Sequence, residues 1–527
     1  VPESESEAVC VAIEELMRIA PAGASDSLPI RAAIALELIR SKRFLEARTL
    51  IRTKWWRLRA AHVSRLAASL PDADSNRVVR RSRIVQPSIE SRMWNPSFFE
   101  TVTTHCGNLL QFAHLFFGFL SSQIKLLLAL MLSLFVRSAR PVWVIGERRG
   151  LGIDDSGDQL CAYLLRNHPE IDVRFITSST TLRFLSPEVR AHTLVHGSIR
   201  QLVFLCRAEV VIFTDCFEDV APFWRWGIFS RWLTRRFIGV FLTHGFIAMS
   251  RAVGYYDNPT MLRRRERVDI VTVCAEQEKS FWVRGFGHPR DNVQITGIPR
   301  LDNLPRHERT CEASRRTILF IPTSRIPLRN ASHIELRASR YYQEISTFLE
   351  SSSLMDICKT HHAAVKLVLH HSMARLKESF RIFETERISV TDMESESVQQ
   401  LLISGDLLIT DYSSVAFDFL YMNRPVIFFQ FDRAYFQANH GAPFIDLDTE
   451  LPGPVAMTAS EVEHHMRLAI QRGWKIDEQS RPKIENFFAF RDNQNCSRIV
   501  DAIYARLANC PEATSSKSPA SCSLVDS

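Results

Sequence analysis

From Pro141 onward the chain alternates between short, wholly apolar runs and longer segments whose apolar residues recur every three or four positions. Runs of the first kind read as strands buried on both faces and segments of the second as amphipathic helices, so the alternation predicts repeated βαβ units and parallel sheets. VWVIGERRG opens the series as strand and loop, Asp158 to Asn167 reads as a helix, and strands follow at Val173 to Thr177, Val203 to Phe213, Phe237 to Thr243, Ile270 to Ala275 and Val293 to Gly297. After Gly297 to Asp302, where glycine and proline suit an interdomain joint, a second series begins with strands at Thr317 to Ile321, Val365 to Leu369, Leu407 to Thr410 and Val426 to Phe431.

The sharpest unit is Asp406 to Asp432, DLLITDYSSVAFDFLYMNRPVIFFQFD. Its first strand ends at Asp411, and Ser413 or Ser414 is placed to cap a helix beginning at Val415. That helix is expected to stop near Asn423, because Pro425 restricts the residue before it and brings no amide donor. The loop therefore stands at the carboxyl end of a parallel strand, where amides and the positive end of a helix dipole face whatever lies above the sheet. A diphosphate suits such a loop, since two serine hydroxyls add donors without adding charge; the same residues also suit a plain helix cap.

Upstream the patterning differs. Pro29 to Trp56 carries apolar faces at helical spacing on both sides of a turn near Ser41 to Arg43, similar to one tetratricopeptide-type hairpin with no second copy, so residues 1–95 are expected to form a helical accessory region. Arginines crowd Arg48 to Arg83 around Trp55 and Trp56, which suits anionic lipid headgroups, an anionic polymer, or plain solvation. Leu109 to Val136 is the most apolar stretch and has the length of a bilayer span, but Ser121, Ser122, Gln123 and Lys125 interrupt it. Two short helices in the membrane interface, or one helix buried against protein, fit better than a clean span, and residues 96–139 are assigned accordingly. Residues 511–527 are serine-rich, low in aromatics and expected to be disordered.

Composition narrows the class. The 527 residues, 46% hydrophobic, are those of an ordinary globular protein with room for several domains. A net charge of +7 is small for this length and does not indicate nucleic acid. The 11 cysteines are scattered and include no Cys-x-x-Cys pair, which argues against a zinc site or a disulfide framework and fits a reducing cytoplasm. The opening VPESESEAV is acidic and lacks the order of a secretory signal. Neither half carries a Gly-x-Gly-x-x-Gly fingerprint, and no carboxylate cluster or Asp-x-Asp pair is read at a strand end, so no tightly bound cofactor and no metal are expected.

Several segments carry a family resemblance. ITDYSSVAFDFLYMNRPVIFF is similar to the signature of the CDP-glycerol glycerophosphotransferase family, which builds teichoic acids and related poly(alditol phosphate) chains. GERRGLGIDDSGDQLCAYLLRNHPEIDVRFIT resembles that family's opening segment, with Asp155, Ser156 and Gly157 in its turn. Thr243, His244 and Gly245 resemble its His-Gly loop, Gly297 to Asp302 its Gly-Tyr-Pro-Arg-Asn-Asp segment, Pro322 to Arg325 its Pro-Thr-x-Arg loop, and His370 its histidine after the following strand. Two departures are visible. Met249, Ser250 and Arg251 stand where a lysine is common, and His371 follows His370.

The resemblance covers roughly Pro141 to Leu507 and implies an α/β, GT-B-like fold. Two Rossmann-type doubly wound domains, residues 140–300 on the acceptor side and 301–510 on the CDP-donor side, would enclose the active site. The implied reaction is attack of an acceptor hydroxyl on the β-phosphorus of CDP-glycerol or a similar CDP-alditol, the donor substrate, with release of CMP. His244, at the end of a parallel strand, is assigned as general base or acceptor-orienting residue, and His370 as its partner from the opposite wall, with the two roles exchangeable. Arg300, Thr323, Arg325, Ser413 and Ser414 are expected to bind the CDP moiety and its phosphates, with Asp411 fixing the loop; Arg300 alternatively pairs with Asp302. Adjacent His370 and His371 point opposite ways on an extended chain, which argues against a metal pair. The acceptor is expected to be a cell-envelope polymer or a lipid-linked molecule, and the location the cytoplasmic face of the membrane, held peripherally on an anionic surface. A GT-B glycosyltransferase using a nucleotide sugar and a catalytically silent membrane scaffold stay open beside this reading.

Overall fold

The computed structural model describes residues 109–136, 139–150, 156–224, 230–243, 245–249, 255–306 and 315–509. The expected accessory region, the tail, Asp155, His244, Ser250 and Arg251 lie outside the described residues. Apolar runs that are buried end to end, such as VWVIG at Val142–Gly146 and IGVFL at Ile238–Leu242, cannot sit at a wetted sheet face and so stack side by side in parallel sheets covered by helices. The first sheet holds β1 (Val142–Gly146), β2 (Asp172–Thr177), β3 (Thr193–Val195), β4 (Ala208–Phe213), β5 (Ile238–Leu242), β6 (Ile270–Val273) and β7 (Val293–Ile295) in the order β3-β2-β1-β4-β5-β6-β7. The second holds β8 (Arg316–Ile321), β9 (Ala363–Leu369), β10 (Ile388–Asp392), β11 (Leu407–Thr410), β12 (Val426–Phe429) and β13 (Val455–Ala456) in the order β10-β9-β8-β11-β12-β13. Every pairing is parallel. Both sheets thus reverse winding direction once, between β1 and β4 and between β8 and β11, and in open α/β sheets such reversals are where ligands bind.

The helices that matter below are α1 (Leu109–Ser133), α2 (Gly157–Asn167), α3 (Ile199–Arg207), α4 (Val415–Tyr421), α5 (Arg433–His440) and α6 (Asn495–Ala508). Two of them correct the sequence reading. The run from Val203 is not all strand: Ser198 accepts a hydrogen bond from the Gln201 amide and caps α3, and β4 begins only at Ala208. Four apolar side chains of α3, Leu202, Val203, Leu205 and Cys206, are buried on one face, which the strand reading mistook for a continuous run.

By contrast, α1 is one continuous helix, one of the two alternatives that the sequence left open, and it is buried along one stripe only. Ser122 and Gln123 do not break it because they belong to its buried stripe, with Leu126 and Ala129, and Ser122 Oγ donates to the Pro222 carbonyl at 3.2 Å. The opposite face, including Phe117, Ile124, Leu128 and Met131, is exposed. By length and composition this helix is also apolar enough to cross a membrane.

The last helix ignores the expected division at residue 300. Cys496, Ile499, Val500 and Ile503 of α6 pack with Trp143, Val240 and Ile270 of the first lobe, each such burial contributing about 1.5–3 kcal/mol. Asp302, in the joint, accepts the Asn495 and Cys496 amides at 3.0 and 2.8 Å and so caps α6. One apolar cluster also runs between the lobes, where Phe246 packs against Phe417 and Phe487 with ring centroids 4.7 and 4.9 Å apart.

Candidate active site between the lobes

In the second lobe, the loops after β8 and β11 flank the winding reversal and are joined by Asp411, a buried carboxylate. Its Oδ1 accepts the Thr323 amide at 2.8 Å, the Thr323 hydroxyl at 2.6 Å and the Tyr412 amide at 2.6 Å, while Oδ2 accepts Arg325 Nη2 at 2.8 Å. Arg325 also donates through Nε and Nη2 to Asp432, both at 2.8 Å, and through Nη1 to the Thr323 carbonyl at 2.6 Å. It is 0% exposed, with the rings of Tyr341, Tyr412, Phe431 and Phe436 at 5.1 to 5.6 Å. Burial works against its charge, but the two aspartates more than offset that and hold it ionised.

This geometry revises two expected phosphate ligands. All three guanidinium nitrogens of Arg325 are committed beneath the loop, and both donors of Thr323 face Asp411, so these residues shape the site from below. Ser413 and Ser414 are half-buried and stand differently. Ser414 occupies the position before α4, yet its side chain makes no capping bond, contrary to the expected cap. With φ −62° and ψ −18° the residue is already helical, which carries its hydroxyl off the orphan amides and leaves it turned to the cleft side of the loop, where Gly245 lies.

The first lobe brings the loop after β5 to the same place. Thr243 is buried and donates to the Thr272 carbonyl at 2.9 Å, and Gly245, at φ +147°, is so close to Arg300 and to the other lobe that an added β-carbon would lie 2.6 Å from Arg300 Nη2 and 3.0 Å from Ser414 Oγ. His244 stands in the chain between those two residues and lies outside the described residues. Glu278 ties the following segment down, its carboxylate accepting the Ile247 and Cys274 amides at 3.2 and 2.7 Å, and burial pushes its pKa up to about 7.

Arg300 is buried and pairs across the lobes with Asp418 of α4 at 3.0 Å; Asp302, its expected partner, is engaged with α6. Neither expected role therefore describes its principal contact. Arg300, Asp418, Gly245 and Ser414 meet where the lobes touch.

His370, at the end of β9, accepts the Ser372 amide on Nδ1 at 3.2 Å, with Ser372 Oγ at 2.9 Å. An imidazole whose Nδ1 accepts an amide carries its proton on Nε2, which suits it to donate to an oxyanion. His371, set aside in the sequence as a departure, reaches the first lobe instead. Arg148 Nη2, in the loop after β1, is 3.2 Å from His371 Nδ1, and the two histidine rings lie 3.9 Å apart.

Sequence reasoning missed Asp418, Asp432, Glu278, Arg148 and His371. Asp418 had a signal: every residue of α4 is buried, and an aspartate among VAFDFLY calls for a buried cation. Asp215, Cys216 and Asp219, just beyond β4, also form a group whose ligand atoms lie within 4.8 Å of one another, which corrects the reading that no carboxylates cluster at a strand end.

Comparison with known proteins follows the same lines. Residues 128–505 match the model of the family described as CDP-Glycerol:Poly(glycerophosphate) glycerophosphotransferase. The minor teichoic acid biosynthesis protein GgaB of Bacillus subtilis (strain 168) is 24% identical over 376 residues, 69% of this chain and 40% of the relative. The teichoic acid poly(ribitol-phosphate) polymerase of Bacillus spizizenii (strain ATCC 23059 / NRRL B-14472 / W23) is 26% identical over 282 residues, 50% of this chain and 42% of the relative. This chain thus spans less than half the length of these two curated relatives. The solved structure of the wall teichoic acid polymerase TagF superimposes with a TM-score of 0.51 at 15% identity, over 73% of this chain and 93% of that one, and shares the fold. With a family match that runs from the end of α1 through both sheets into α6, the chain belongs to the CDP-glycerol:poly(glycerophosphate) glycerophosphotransferase family.

Proposed function

We propose that this chain moves glycerol phosphate, or a related alditol phosphate, from a CDP-alditol to a hydroxyl of a polymer or lipid-linked acceptor. The observation that carries the reading is the contact between the His-Gly loop of one lobe and the serine pair of the other, at Gly245 and Ser414. In the proposed step the acceptor hydroxyl oxygen forms a bond to the β-phosphorus as the bond from that phosphorus to the bridging oxygen breaks. CMP leaves with the bridging oxygen and its electron pair, and the hydroxyl proton passes to His244 as base. His370, protonated on Nε2, donates to the departing phosphate, and the hydroxyls of Ser413 and Ser414 hold the diphosphate. Arg325 and Asp411 keep that loop in place without touching substrate. No resident cofactor is required by this scheme.

Further support comes from the relatives, among them a teichoic acid poly(glycerol phosphate) polymerase of Bacillus subtilis, and from a TagF structure soaked with CDPG. The exposed apolar face of α1 supports contact with a membrane surface. The test is a donor screen with purified protein, CDP-glycerol, CDP-ribitol and nucleotide sugars, read by CMP release and by mass spectrometry of the extended acceptor. Turnover of a CDP-alditol that falls about 10²-fold or more in His244→Ala and His370→Ala is expected. Turnover of a nucleotide sugar alone would replace this reading with a glycosyltransferase.

A further inference from the structure

The winding reversal of the first lobe, between β1 and β4, is built on the same plan as the donor-side one. There too a buried aspartate joins the two flanking loops: Asp219 accepts the Arg149 amide on Oδ1 at 2.8 Å, and the amides of Thr214, Asp215 and Cys216 on Oδ2 at 3.1, 2.8 and 3.3 Å. Four amides on one carboxylate make Asp219 a loop scaffold, so the neighbouring group with Asp215 and Cys216 is not read as a metal site.

The loop that this scaffold holds is strained. Arg148 and Arg149 have φ +48° and +54°, a conformation that successive non-glycine residues rarely share. It is pinned on every side. The Gly150 amide donates to the Glu147 carbonyl at 2.8 Å, and the Gly150 carbonyl accepts the Ser178 amide at 2.8 Å and the Thr181 hydroxyl at 3.0 Å. The Glu147 carboxylate in turn accepts the first amide of α2, from Gly157, at 2.8 Å. Strain of this kind persists only where its surroundings over-determine it, and it concentrates at ligand sites.

Its result is two successive arginines at the winding reversal, Arg148 reaching toward the other lobe and Arg149 toward the segment beyond β4. Arg149, whose side chain is 49% exposed, stands 3.9 Å from Asp215, and Asp215 is held in turn by the Tyr255 hydroxyl at 2.7 Å. Among the described residues Arg148 meets an imidazole, and that imidazole belongs to the other lobe.

We propose that Arg148 and Arg149 form a phosphate-oxyanion site at the first lobe's winding reversal, completed across the cleft by His371. Arginine forks match phosphate oxygens, and a phosphate entering here bonds Arg148 beside the His371 imidazole. The inference rests on the reading above for the identity of its ligand, which is either the terminal phosphodiester of the acceptor or the diphosphate of the donor.

The test uses the full chain and the double variant Arg148→Ala with Arg149→Ala, beside Arg148→Gly with Arg149→Gly, in which glycine accepts the positive φ and preserves the loop. Binding of a glycerol-phosphate oligomer and of CDP-glycerol is measured by calorimetry, and KM is measured for acceptors with and without a terminal phosphate. A Kd or KM for the phosphate-bearing acceptor raised roughly ten- to a hundredfold, with the phosphate-free acceptor unchanged, assigns the site to the acceptor. The same rise for CDP-glycerol alone assigns it to the donor. Affinities within about twofold of the unsubstituted protein in the glycine pair overturn the proposal. Absence of turnover in the unsubstituted protein would remove the proposed reaction, whereas oligomer or CDP-glycerol binding that is lost in the glycine pair would still support the site.

Discussion

The Gly245 backbone and the Ser414 side chain touch across the two lobes, so closely that a β-carbon on Gly245 would stand 3.0 Å from Ser414 Oγ and 3.1 Å from its Cβ. A residue with any side chain at this position would have to push the lobes apart or distort the loop. Gly245→Ala is therefore expected to cost on the order of 1–3 kcal/mol through its φ of +147°. It is also expected to lower CMP release about a hundredfold, because misplacing the reacting groups by an ångström has that effect. Unchanged release together with an unchanged melting temperature would show that the contact carries neither function nor fold.

Arg325 is predicted to act on stability. Removing it leaves Asp411 and Asp432 buried with no cation, a loss of roughly 3–5 kcal/mol. Arg325→Lys is expected to fall close behind, since one ammonium cannot make the paired contact with Asp432 and the reach to Asp411 together. Urea denaturation measures this. A variant as stable as the parent but with weakened donor binding would return Arg325 to the phosphate-binding role expected from sequence.

Ser413→Ala and Ser414→Ala are predicted to behave in the opposite way. The Ser414 side chain makes no capping bond, so stability is expected to stay within about 0.5 kcal/mol. The KM for the CDP-alditol is expected to rise about tenfold for each hydroxyl that bonds an anionic oxygen, from about 1.5 kcal/mol per bond. A melting-temperature loss without a change in KM would make them structural.

His440 gives the protein an acid-sensitive element. Burial first, and then Arg325 and Arg329, lower its pKa from 6.5 to about 4, while its ring stacks on Phe436 at 4.1 Å. Between those values the unfolded chain binds a proton that the folded chain does not, so the stability this group contributes is complete above 6.5 and is lost as the pH falls toward about 4. Urea midpoints at neutral and mildly acidic pH are expected to differ less in His440→Phe than in the parent. An equal acid loss in both would exclude this origin.

On α1, Ile124→Asp with Leu128→Asp alters only the exposed face. Folding is expected to persist while co-sedimentation with phosphatidylglycerol vesicles falls several-fold, since each buried apolar side chain contributes about 1.5–3 kcal/mol. Undiminished sedimentation would place the membrane contact elsewhere.

Local pattern was enough for the long central strands, because a run buried on both faces has no polar position to confuse it; Leu407 to Thr410 and the helix from Val415 stand where the apolar code puts them, whereas the short or polar strands Thr193–Val195, Ile388–Asp392 and Val455–Ala456 carried too little apolar signal to be read. The loops at the strand ends were legible for the same reason, as breaks between such runs. Partnership across the chain was not legible. Arg325 and Asp432 are 107 residues apart, Arg148 and His371 are 223 apart, and α6 returns to a sheet that ends two hundred residues earlier. A guanidinium reads the same in sequence whether it faces a phosphate or a buried carboxylate. Only folding decides which, because desolvation makes the enclosed charge intolerable without a partner that the tertiary arrangement alone supplies.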